Sequence, residues 1–106
     1  MLYAVSAKLI TDRAGEFFTR LTDGSIAAQR PDGQEIVAAM RRARVGSDGT
    51  VRWTETCFCP TPLKHERETV LDRFFTDIET DLIDVSTAVH GEPLMEQLQH
   101  ADRTQR

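Results

Sequence analysis

Four residues whose types can do chemistry stand close together in mid-chain: Cys57-x-Cys59, then His65 and Glu66. On a strand, residues i and i+2 point to the same side, so the two sulfurs share one environment. Thiolates and imidazole are ligands for zinc and copper, which makes Cys57, Cys59 and His65 a candidate metal set. The spacing departs from the usual zinc Cys-x₂₋₄-Cys, and no second cysteine pair follows. Two core cysteines make the same pattern, because a buried thiol packs as a small hydrophobe. A disulfide between strand residues i and i+2 would be strained, and two cysteines are no disulfide framework. The same segment offers His65, Glu66 or Cys57 as the acid, base or nucleophile of a small enzyme, for which a histidine needs a cleft and an orienting partner.

A second group surrounds it. Arg67 is spaced four residues from both Leu63 and Leu71, which puts a charge inside an apolar helical stripe, costly unless paired. Glu55 alternates with Trp53 and Cys57 on the apolar side of its strand. The spacing predicts a partly buried Glu55–Arg67 contact shared with Arg42. In its functional form, Trp53, Glu55, Arg67, Arg42 and His65 line a pocket in which arginine holds a carboxylate or phosphate. Arg41, Arg42, Arg44 and Arg52 form a local basic cluster, an anion site or a solvated hairpin end with Arg44 stacked on Trp53. No stacking aromatics accompany it, as they would on an RNA-binding sheet. Asp77, Glu79, Asp81 and Asp84 lack the spacing and glycine turn of a calcium loop. There is no glycine-rich phosphate loop, no nucleophile elbow and no HExxH.

The elements that must position these residues follow from periodicity. Residues 2–10 read as a strand with Tyr3, Val5, Ala7 and Leu9 on one face. A helix over 12–23 carries Ala14, Phe17, Phe18 and Leu21 at helical spacing and stops at Gly24. Thr50–Phe58 is a strand behind a Gly46–Gly49 turn. A helix over 62–78 presents Leu63, Val70, Leu71, Phe74 and Ile78. Residues 81–89 read as a last strand, and Pro93 opens a short helix with Leu94, Met95 and Leu98. Residues 34–45 allow two readings. Asp32 as N-cap with Glu35 at N3 makes a capping box for a helix, which local propensity favours. The turn at Asp48-Gly49 asks for a partner strand, and that argument selects a strand here. Arg44 then faces Trp53, Arg42 faces Glu55 and Met40 faces Cys57, and both sheet faces become partly apolar.

The chain has 106 residues, 40% of them hydrophobic, and a net charge of −4. One α+β domain over 1–89, with a C-terminal tail over 90–106, fits that size. The acidic balance excludes a general nucleic-acid binder or basic membrane-surface protein, and the 11 arginines against two lysines read as composition bias. No apolar run suits a membrane helix, and the first residues lack the features of a signal peptide. The expected compartment is the cytoplasm.

The order is βαββαβ, that of a ferredoxin-like antiparallel sheet covered by two helices. In their opening Leu2-Tyr3-Ala4-Val5 strand, element order and length, residues 1–89 resemble small bacterial ferredoxin-like domains that dimerise into an α+β barrel, such as the YciI-like group. The resemblance implies a homodimer with a cavity between the sheet and its covering elements. YciI-like chains carry an early His and Asp pair, whereas the first histidine here is His65, so no site residue is carried over. The expected function is a dimeric module without a cofactor, binding a small acidic or aromatic ligand near the sheet. The alternatives are a small enzyme using His65, Glu66 or Cys57, and a metal or redox protein built on Cys57 and Cys59.

Overall fold

The computed structural model describes residues 1–105. Strand β1 (Leu2–Leu9) is followed by a 3₁₀ turn (Thr11–Arg13) and helix α1 (Ala14–Thr22). Helix α2 (Gly33–Arg42) leads into a two-residue strand, β2 (Arg44–Val45), and then β3 (Thr50–Thr56). Helical segments Lys64–Glu66, Arg67–Leu71 and Asp72–Phe74 run on without a break as α3, the middle one a π turn. Strand β4 (Phe75–Ile83), strand β5 (Glu92–Pro93) and helix α4 (Leu94–Gln105) complete the chain. The sheet is antiparallel, in the order β4-β1-β3-β2-β5. The fold is therefore α+β, with four helices and five strands among the described residues where the sequence suggested two covering helices, a short C-terminal one and four strands.

Alternation assigns the two faces. Val5 pairs with Trp53, Tyr3 with Glu55 and Ala7 with Val51, and all six side chains are buried. The other face presents Ser6, Lys8, Arg52 and Thr54, residues that water solvates. Trp53 lies 5.3 Å from Phe75, and Phe17 stacks on Phe74 at 4.3 Å. These four rings give the core an aromatic centre between the sheet, α1 and the end of α3.

The expected strand over 34–45 is instead α2. Ile36, Ala39, Met40 and Ala43 are buried, a 3–4 spacing that one helical face provides. The helix sits on the sheet, which satisfies those residues without a long hairpin. What remains of the hairpin is Arg44–Arg52 and Val45–Val51, one residue out of the expected register because residues 46–49 form the loop. That slip puts Arg44 opposite Arg52 on the outer face, so no stacking on the buried Trp53 occurs. The Asp48 carboxylate accepts the Thr50 N–H at 2.9 Å, and this bond holds its pKa down to about 2.

Two further boundaries move. The helix expected over 62–78 ends at Phe74, and the last strand starts at once, at Phe75 rather than 81. Phe74 is the pivot: its carbonyl accepts the Ile10 N–H at 2.8 Å, which draws the chain into pairing with β1. The acidic residues Asp77, Glu79 and Asp81 therefore lie on the outer strand of the sheet. At the C-terminus, α4 buries Leu94 and Leu98. Gln105 clamps it to α1, accepting the Gly15 N–H at 2.9 Å and donating to the Thr11 carbonyl at 2.8 Å.

Candidate functional site

Glu55 leaves the core face of β3 two residues after Trp53, and by strand alternation it must point inward. It is 2% exposed. The indole N–H of Trp53 donates to Glu55 Oε1 at 2.6 Å. Glu66, in the first turns of α3, is also 2% exposed, and its carboxyl group lies close enough to that of Glu55 for each to act on the other's protonation. Two carboxyl groups can bond to each other only if they share a proton. Glu55 Oε2 and Glu66 Oε1 are otherwise buried without a donor. Burial, reinforced by the Glu55 carboxylate and then by the charge of Asp32 and the thiol of Cys57, pushes the Glu66 carboxyl up to about 11. Burial also raises Glu55, against the hydrogen bonds from Glu66 and Trp53 that hold it down. The Trp53 N–H already occupies Glu55 Oε1 as an acceptor, which leaves Glu66 as the group that keeps a proton.

Glu66 alone of the pair lines a cavity of about 460 Å³, together with Pro31, Asp32, Glu35, Cys57 and Phe58, and Glu55 lies behind it in the core. The start of α2, the start of α3 and the chain leaving β3 supply its walls. Phe58 is 85% exposed at its side. Asp32 stands at the N-cap position of α2 yet makes no capping bond. Its carboxylate instead accepts from His65 Nδ1 at 2.9 Å, and that partner leaves Nε2 as the outward-facing nitrogen. Glu35, the expected other half of a capping box, instead meets Arg42 at 3.5 Å and accepts the Thr56 N–H at 3.3 Å. Gly33 sits at the crossing: a Cβ there would lie 2.0 Å from the Ile26 carbonyl oxygen, so only glycine lets α2 start this close to the preceding loop.

The sequence-derived residues fall into two places. None of Trp53, Glu55, His65 and Arg42 lines this cavity, but each reaches its lining or the layer behind it: Trp53 donates to Glu55, His65 meets Asp32, and Arg42 meets Glu35 and donates to the Thr54 carbonyl at 2.8 Å. Arg67 does not. It faces outward and pairs with Asp72 at 3.1 Å, so the expected Glu55–Arg67 contact is replaced by Glu55–Glu66. The reason lies in helix phase. Leu63 is outside the helix, in the left-handed region at φ 57°, and the π turn shifts the following residues. The buried positions are Glu66, Val70, Leu71 and Phe74. The i, i+4, i+8 series of Glu66, Val70 and Phe74 was the signal for Glu66 as an inward residue. For Asp32 the only signal was its place before a helix.

Cys57 is buried and Cys59 half-buried, both as free thiols. The Cys59 N–H donates to Cys57 Sγ at 3.3 Å. At the Cys59 thiol, the His65 N–H favours the thiolate, but the Cys57 thiol, burial and the Asp32 charge outweigh it and raise the pKa. That is the opposite of an activated nucleophile. Among the described residues, no group of three or more His, Cys, Asp or Glu is arranged to hold a metal ion, so Cys57, Cys59 and His65 do not form a ligand set here. What the arrangement can do is hold a neutral carboxylic acid against a ligand as a donor, or give up its proton. No described helix is long and apolar enough to cross a membrane.

Searches of protein-family models, curated proteins and solved structures find no match to this chain.

Proposed function

We propose that this chain is a small-molecule-binding domain, its ligand seated in the Pro31–Phe58–Glu66 cavity. One observation carries the reading: a buried carboxyl group, tied to a second one, forms the floor of an open cavity with apolar walls. A buried acid without a cation is costly, and a polar group placed at the base of an apolar pocket is the usual device for orienting a ligand. Of the two ligand classes the sequence suggested, the aromatic one is favoured, because Pro31 and Phe58 offer apolar surface and the ionisable lining residues are acids.

The test is a thermal-shift screen of small aromatic compounds against the wild type and Phe58→Ala, followed by Trp53 fluorescence. Trp53 is the single tryptophan, and its indole is linked through Glu55 to Glu66, so a cavity ligand changes its emission. Compounds that stabilise the wild type, shift that emission and bind Phe58→Ala more weakly support the reading. An absence of binders, or binders indifferent to Phe58, overturns it.

The enzyme alternative has one favouring feature, the Asp32–His65 contact, which orients an imidazole beside an acid that carries a proton. Turnover of a bound compound that His65→Gln abolishes without loss of binding would select it. The wider setting we propose is a ferredoxin-like arrangement, supported by the strand order β4-β1-β3-β2 with helices joining β1 to β2 and β3 to β4. We further propose a cytoplasmic homodimer of bacterial type. The nine-residue β4 has no strand on its outer side, and Leu82 and Val85 are exposed nearby, features that favour a partner. Light scattering that gives the monomer mass at micromolar concentration would reject the dimer.

A further inference from the structure

The charge around the cavity is one-sided. Asp32 and Glu35 line it beside the protonated Glu66, and no lysine or arginine stands among its described lining residues. The Arg42 guanidinium is engaged with the Thr54 carbonyl and Glu35, and the His65 imidazole is held by Asp32. A concave site with one sign of charge raises the local concentration of the opposite sign. Phe58 adds an aromatic face at the side, which suits a cation.

The groups acting on Glu66 come from each packed element. Glu55 faces it from β3, Asp32 from the start of α2, and Cys57 from the chain after β3; Glu35 and Arg42 of α2 act on Glu55. All those that act on Glu66 keep its proton in place while the cavity is empty. A positive charge brought into the cavity reverses that balance.

We infer that the cavity selects ligands with a basic nitrogen on an aromatic or apolar body, and that they bind as cations against an ionised Glu66. The inference rests on the binding site proposed above. The step balances simply. The Glu66 O–H bond breaks. With a ligand that arrives neutral, the proton forms a new N–H bond on it. With a ligand that arrives as an ammonium ion, the proton leaves to solvent. Either way a carboxylate and a cation remain in contact, and an anionic ligand meets only like charge.

The experiment compares benzylamine, benzyl alcohol and benzoate, three probes with one ring and three charges. Calorimetry at pH 7.5, in two buffers of different ionisation enthalpy, reads affinity and proton release together. The expected order is benzylamine, then benzyl alcohol, then benzoate, with benzylamine at least about tenfold tighter than benzoate. Benzylamine should release close to one proton from the wild type and none from Glu66→Gln. Glu35→Gln, which removes one of the acidic charges lining the cavity, should narrow the gap between benzylamine and benzoate. If benzyl alcohol binds but benzylamine is no tighter than benzoate, the ligand class is wrong and the binding site stands. If none of the three binds, both fall.

Discussion

The indole N–H of Trp53 and the Glu55 Oε1 atom meet at 2.6 Å inside the core, and both residues are essentially solvent-free. A buried carboxyl oxygen that loses its donor bears the full desolvation cost, so this bond counts most when it is removed. It fixes the Glu55 side chain, and Glu55 in turn positions Glu66. Trp53→Phe keeps an aromatic ring there and removes the donor. The expected loss is about 1.5–3 kcal/mol of folding stability, measured by urea unfolding followed by circular dichroism. A loss below about 0.5 kcal/mol would mean that the bond does little.

The carboxyl pair makes stability depend on pH with a definite sign. Glu66 has an ordinary value of 4.5 and is pushed up to about 11 by folding. Between these limits the folded chain holds a proton that the unfolded chain has lost. Stability from this group is fully present below the lower value and falls as pH rises through the window. One such proton contributes a slope of up to about 1.4 kcal/mol per pH unit. Chemical unfolding at pH 5, 7 and 9 should show the wild type weakening relative to Glu66→Gln, whose amide stays neutral. Parallel curves for the two proteins would refute a proton held at Glu66.

Much of the frame was legible in the sequence, and the failures have physical causes. Alternation placed Tyr3, Val5 and Ala7 on one face of β1 and put Glu55 on the apolar side of its strand, as observed. For 34–45, propensity and a possible cap pointed to a helix, and a turn signal downstream pointed to a strand. The turn is present, but its partner needs only Arg44 and Val45, so a strong local signal at Gly46–Gly49 said nothing about residues further back. Arg67 was assigned to the core stripe by counting from Leu63, which lies outside the helix, through a segment whose π turn breaks the 3.6-residue count. Counting back from Phe74 through Val70 reaches Glu66 instead. The Asp32–His65 contact joins residues 33 positions apart, and no local pattern encodes such a pairing.

Gly33 is a sharp test of how α2 reaches the site. Gly33→Ala places a methyl group 2.0 Å from a carbonyl oxygen of the backbone, and backbone cannot yield as a side chain can. The start of α2, with Asp32 and Glu35, must then shift. The expected cost is about 2 kcal/mol or more, read as a lowered melting temperature, with weaker binding of any cavity ligand. A neutral Gly33→Ala would contradict the described packing of Ile26 against α2.

The cysteines should be quiet. Cys57 is buried away from reagents, and the Cys59 thiol is raised, so its thiolate is scarce. Alkylation with iodoacetamide at pH 7.5 should run well below the rate of free cysteine until denaturant is added. Rapid labelling of Cys59 in the folded protein would instead point to an activated thiol and to the redox alternative.

The protonation state of Glu66 tests the account most directly. Carbon-13 labelling of glutamate side chains, with Glu66→Gln for assignment, lets NMR read each carboxyl group separately. The Glu66 carboxyl is expected to be protonated at pH 7 in the empty protein and to become a carboxylate on saturation with benzylamine. A Glu66 carboxyl that titrates near 4.5, or one whose resonance is unmoved by any ligand that binds, would contradict it.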